Sequence, residues 1–149
     1  MAITVFSRGT WMPRVLEEDG ALRLEVVGGA DALHDPRLFS TPLREGHLSA
    51  LRESLRRHVL LEAALLPLCY EAGIRGNWDE QAVSALLDPI LLGSQEEVDS
   101  TMPGLCVDRR SLVAHRASLP LLARCRYFDA AQSVTEPTDW ARVRKHLGP

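Results

Sequence analysis

Between Pro42 and Gly73 the hydrophobic pattern changes period, and this change limits the fold more than any other feature of the chain. Before it, apolar residues come in short, partly alternating runs, as on strands; after it they recur every three or four positions, as on a helix. Leu48, Leu51, Leu55 and Val59 follow one helical stripe, Arg52, Glu53, Arg56 and Arg57 face away, and beyond His58 the polar face largely disappears. The spacing predicts one continuous helix that starts at Thr41 or just after it, with Pro42 tolerated in its first turn and Gly73 as its stop, and residues 44–72 form the centre of the helical layer. Pro67 should kink it, because proline has no N–H for the carbonyl of Ala63. The apolar run Val59 to Tyr70 is interrupted by Glu62 and Pro67 and is far shorter than the roughly 20 residues that span a bilayer. It reads as a core helix, and no membrane association is expected.

Ile3 to Phe6, Trp11 to Leu16, Ala21 to Val27 and Arg37 to Thr41 have strand composition. Asp19-Gly20 suits a type I′ turn, in which both central residues need positive φ. The register that follows sets Arg14 against Glu25 and Val15 against Leu24, polar on one face and apolar on the other. Helix starts are signalled by Asn77 with Glu80, by Ser94 with Glu97, and by Asp108, Ser118 and Thr138. Ser118 would cap Leu119 to Phe128, and Thr138 would cap Asp139 to Leu147. The expected fold class is α+β: an N-terminal antiparallel meander of three or four short strands packed on a helical layer centred on a long kinked helix. The chain reads as a single domain, 1–149, strand-rich over 1–42 and helical over 43–149.

A chain of 149 residues, 46% hydrophobic and 25% charged, can bury a core without metals or disulfides. No secretion signal is visible, and Cys69, Cys106 and Cys125 form no metal or redox spacing. Cytoplasmic location and reduced, mostly buried thiols are therefore expected, with no metal and no cofactor. Charge is uneven: residues 1–104 carry 9 basic and 16 acidic side chains, and 105–149 carry 8 basic and 4 acidic. Arg109, Arg110, Arg116, Arg124 and Arg126 make a basic stretch that fits a partner protein with an acidic patch. The acidic pI of about 5.9 and the lack of an aromatic platform speak against nucleic acid.

Glu62 stands out among candidate catalytic groups, since a carboxylate on a helix buried nearly all round must find a partner, reach solvent or titrate abnormally. His58 is four residues before it on the same helix. His34 and Asp35 sit together in a loop but in no nucleophile-elbow context. His47 and His58 would share a helix face about 16 Å apart along the axis, too far to hold one ion. Trp11 and Arg23 are further candidate binding residues.

The runs TPLREGHLSALRESLRRHVLLEAALLPLC and LLDPILLGSQEEVD resemble an uncharacterised family of small actinobacterial proteins, a domain of unknown function. The resemblance spans most of the chain and implies no reaction, cofactor or catalytic residue. Ranked first is a non-catalytic protein–protein interaction protein, of immunity or adaptor type, for which pairing with a second copy is also compatible. Second is a small enzyme or ligand-binding protein whose pocket lies between sheet and helices, with Glu62, His58, Trp11 or Arg23 at its mouth. Third is nucleic-acid binding through the arginines of the C-terminal stretch.

Overall fold

The computed structural model describes residues 1–9, 12–30 and 33–135. Four strands, β1 (Ile3–Phe6), β2 (Arg14–Glu18), β3 (Ala21–Gly28) and β4 (Arg37–Leu43), form an antiparallel meander in sequence order. Asp19 and Gly20 have φ of 53° and 79°, as the I′ turn requires. Arg14 pairs with Glu25 and Val15 with Leu24, so the alternation sorts the two faces. On the outer face Arg14 Nε donates to Glu25 Oε1 at 2.6 Å and Arg23 Nη2 donates to Ser40 Oγ at 2.9 Å. Val15, Leu24 and Val26 are fully buried on the inner face.

β4 runs past the expected end and takes in Pro42, which pairs with Arg23 and so does not begin a helix. A proline is tolerated there because β4 is an edge strand and only one neighbour calls on its backbone.

Seven α-helices follow among the described residues: α1 (Glu45–Glu53), α2 (Leu55–Ala72), α3 (Glu80–Leu91), α4 (Gln95–Thr101), α5 (Arg109–Ala114), α6 (Leu119–Ala123) and α7 (Tyr127–Ala130). The continuous helix expected from Thr41, or just after it, to Gly73 is two helices. Ser54 is extended, at φ −133° and ψ 102°, and its N–H closes α1 on the Ala50 carbonyl. Its Oγ then accepts the Arg57 N–H at 3.1 Å and caps α2. The interior survives this break, because Leu48 and Leu51 of α1 and Val59, Leu60, Leu61 and Leu65 of α2 are all buried. His47 and His58 lie on different helices as a result.

Other starts and stops differ from expectation in instructive ways. Asp79, not Asn77, caps α3, its Oδ1 accepting from the N–H groups of Gln81 and Ala82. Ser94 and Asp108 cap α4 and α5 as predicted. Ser118 makes no side-chain cap bond, and the helix expected over Leu119 to Phe128 divides into α6 and α7. The divider is a left-handed Cys125 at φ 57°, whose N–H bonds the Leu122 carbonyl while that of Arg126 bonds Leu121. α5 ends in the same way, with Arg116 at φ 69° and the Ala117 N–H on the Leu112 carbonyl. Both stops use a non-glycine residue in a glycine conformation, which hides them in the sequence. The helix expected after Thr138 lies outside the described residues. Among the described residues no helix is long and apolar enough to cross a membrane.

Pro67 lies inside α2, and its missing N–H leaves the Ala63 carbonyl open. The N–H of Asp108 takes that carbonyl at 2.8 Å. The proline thus provides a docking point for the start of α5, one residue after Glu62.

Candidate functional site

A cleft of about 440 Å³ opens between the end of β3, α2 and α5. Gly28 lets β3 come this close: a Cβ there would lie 2.9 Å from both Cβ and Sγ of Cys69 on α2. The walls are mainly apolar, including Val27, Leu66, Tyr70 and Ala114, and Glu62, Ser111 and His115 bring polar atoms to them.

These three side chains form one cluster. Glu62, 6% exposed, stands on α2 beside the carbonyl that anchors α5. Asp108 caps α5 and sets its phase, and Ser111 and His115 then face the carboxylate one helical turn apart. Ser111 Oγ donates to Glu62 Oε1 at 2.6 Å. His115 Nε2 lies 3.4 Å from the same oxygen, a looser contact. The other oxygen, Oε2, is buried and has no hydrogen-bond partner.

The second ring nitrogen of His115 faces the Thr135 carbonyl at 3.2 Å, and the Thr135 N–H returns to the His115 carbonyl at 2.9 Å. Both ring nitrogens therefore face acceptors, and only the imidazolium can donate to both. The hydrogen bond with Glu62 raises the His115 pKa above its ordinary value, against the opposing effect of burial. Ser, His and Glu are the residue types of a hydrolytic triad, but their order differs. The serine proton is committed to the carboxylate and not to the imidazole, so the hydroxyl has no histidine base.

The remaining expected residues lie elsewhere. His58 is fully buried, donates from Nε2 to the Pro13 carbonyl at 2.7 Å, and accepts at Nδ1 from Arg8 Nε at 3.1 Å. Burial lowers its pKa to about 4 and keeps it neutral. It is a tie between the β1–β2 connection and α2, and it does not line the cleft. Arg23 is on the opposite face of the sheet. His34 and Asp35 are exposed before β4, beside Pro36, which does line the cleft. Trp11 lies outside the described residues, although its neighbour Met12 is a wall of the cleft. Among the arginines, Arg110 lines the cleft, Arg126 is paired with Asp129, and Arg109, Arg116 and Arg124 are exposed.

Ser111 and His115 are the site residues that sequence reasoning did not join to Glu62. Their separations of 49 and 53 residues carry no local pattern. The usable signal was indirect: Pro67 opens a carbonyl next to Glu62, and some donor must fill it.

The family model of DUF6357, a family of unknown function, matches residues 1–148, and the chain belongs to that family. No curated protein and no solved structure matches it.

Proposed function

We propose that this member of a family of unknown function is a small-molecule-binding protein whose ligand occupies the cleft between sheet and helices. One observation carries the reading: Glu62 lines a cleft of about 440 Å³, is nine-tenths buried, and keeps Oε2 without a partner. A buried polar atom left unsatisfied costs roughly 1–3 kcal/mol. Groups retained under such a cost concentrate at functional sites. The volume falls among ligand pockets, which run from roughly 300 to 1,000 Å³. This support places ligand binding ahead of the interaction role that the sequence ranked first. Binding is proposed without a catalytic step, because the Ser–Glu–His order supplies no activated nucleophile.

The test uses anilinonaphthalene sulfonate, an apolar fluorescent anion. Native protein should enhance its fluorescence saturably with one site per chain. Ala114→Trp, which fills the cleft from an exposed helical position, should abolish the enhancement while leaving the thermal midpoint within a few degrees. Equal binding by the two proteins would remove the cleft from consideration.

A second reading is a protein-binding role, of immunity or adaptor type, toward an acidic surface. It is supported by Arg109, Arg110, Arg116 and Arg124, which are exposed and have no ion-pair partner among the described residues. Salt-insensitive failure to retain any acidic protein would remove it. A cytoplasmic setting accords with either reading, since all three cysteines are free; Cys69 is buried as expected, whereas Cys106 and Cys125 are exposed, against the expectation of mostly buried thiols.

A further inference from the structure

We infer that the ligand of this cleft is a small amphipathic anion: an apolar body with an acidic group that meets Arg110 at one end and a hydroxyl or amine that donates to Glu62 at the other. The inference rests on the cleft being a small-molecule site and adds the chemistry of what enters it.

Three features of the lining carry it. The apolar stretch of Val27, Leu66 and Ala114 favours a hydrocarbon or aromatic body. Arg110 lines the cleft, is exposed, and has no hydrogen-bond or ion-pair partner among the described residues, so its guanidinium is available to an oxyanion. Asp108, which also lines the cleft, accepts the Ser111 N–H at 3.1 Å and forms no ion pair with Arg110 among the described residues. Glu62 also lines the cleft, and its carboxylate takes both its protein donors on Oε1 and none on the buried Oε2. Both protein contacts use this carboxylate as an acceptor, so the ligand group that completes it has to donate. An ether, ester or ketone at the same position would bring lone pairs against lone pairs.

The pattern also sets selectivity. A site with an unfilled buried acceptor discriminates strongly against analogues that lack the donor, because the acceptor then stays desolvated and unpaired.

The test measures binding of 10-hydroxydecanoate, 10-methoxydecanoate and 1,10-decanediol by displacement of anilinonaphthalene sulfonate and by calorimetry. The hydroxy acid should bind at least about tenfold more tightly than the methoxy acid, as expected for a hydrogen bond to a charged group. Arg110→Ala should weaken both acids alike and leave the diol unchanged. Glu62→Leu should erase the preference for hydroxyl over methoxyl. A second readout needs no variant at Glu62: a donor arriving at Oε2 draws carboxylate charge away from Oε1, where His115 sits, so NMR should give a lower His115 pKa with the hydroxy acid bound than with the methoxy acid bound. The groups facing that imidazole are Glu62 and His58 from α2, Ser111 from α5 and the Thr135 carbonyl. If the fluorescent probe binds the cleft but the hydroxy and methoxy acids bind equally, or neither displaces it, the ligand chemistry is wrong and the cleft remains a binding site. If the probe itself ignores the cleft, both readings fall.

Discussion

Two buried histidines flank the carboxylate of α2, and their surroundings treat them in opposite ways. His58 has both ring nitrogens firmly engaged, and because an arginine can only donate, the bond from Arg8 fixes Nδ1 as the acceptor. Its ring is neutral, closed off, and holds the sheet connection to the helix. His115 is the counterpart at the cleft, its pKa raised by the hydrogen bond to a carboxylate that is itself half satisfied. The difference teaches that burial of a titratable group is not enough to mark a site. What separates a structural tie from a candidate site is an unfilled hydrogen-bonding position next to open volume.

The largest effect should come from breaking the tie. His58→Ala leaves a cavity, an unpaired Pro13 carbonyl and an unpaired Arg8 N–H, and should lower the unfolding free energy by about 3–5 kcal/mol in urea titrations. A loss below about 1 kcal/mol would mean that His58 is not structural in the sense argued.

The pH dependence should separate the two rings by sign. His58 has a folded pKa of about 4, below the ordinary 6.5, so the unfolded chain takes up the proton first. Its contribution is complete above pH 6.5 and is lost as the pH falls toward 4. At about 1.4 kcal/mol per pK unit the loss is on the order of 3 kcal/mol. His115 has a raised folded pKa, so its contribution is complete below 6.5 and is lost as the pH rises through the folded value. Stability curves of His58→Gln and His115→Gln, each subtracted from the parent curve, should therefore slope on opposite sides of that value. Slopes on the same side would dissolve the comparison.

Glu62→Gln should cost less, about 1–2 kcal/mol, because His115 can shed its proton when the charge opposite disappears. NMR titration should show the His115 pKa falling toward or below 6.5. An unchanged value would show that Glu62 does not set it. The smallest effect concerns the turn that ends α5 just after His115. Arg116 is left-handed at φ 69°, so Arg116→Gly should stabilise the protein by about 1 kcal/mol in thermal unfolding. A destabilisation would assign the arginine a contact that outweighs its strain.

Much of the fold was legible in the residues. Asp19-Gly20 specified the hairpin and its register, since turn chemistry and period-two alternation are local. The division between strands and helices was equally clear, though Pro42 fell on the other side of it because an edge strand accepts proline as readily as a first helical turn does. The break at Ser54 was masked by continuous leucine spacing on both sides of it. The stops at Arg116 and Cys125 were hidden for the opposite reason, as neither is the glycine that such turns usually carry. At the site, Glu62 was conspicuous as a charge in an apolar run, whereas His58 looked like its natural companion and proved to be engaged elsewhere.

Local chemistry alone determined the meander, its pairing, the helical character of the second part and the presence of a carboxylate in the interior. Tertiary packing decided which groups meet that carboxylate. Pro67 leaves the Ala63 carbonyl open, but only the folded chain brings Asp108 to it and so carries Ser111 and His115 to Glu62. An open acceptor on a helix can be filled by any donor the fold delivers, and the choice depends on how distant segments pack, which no local pattern encodes.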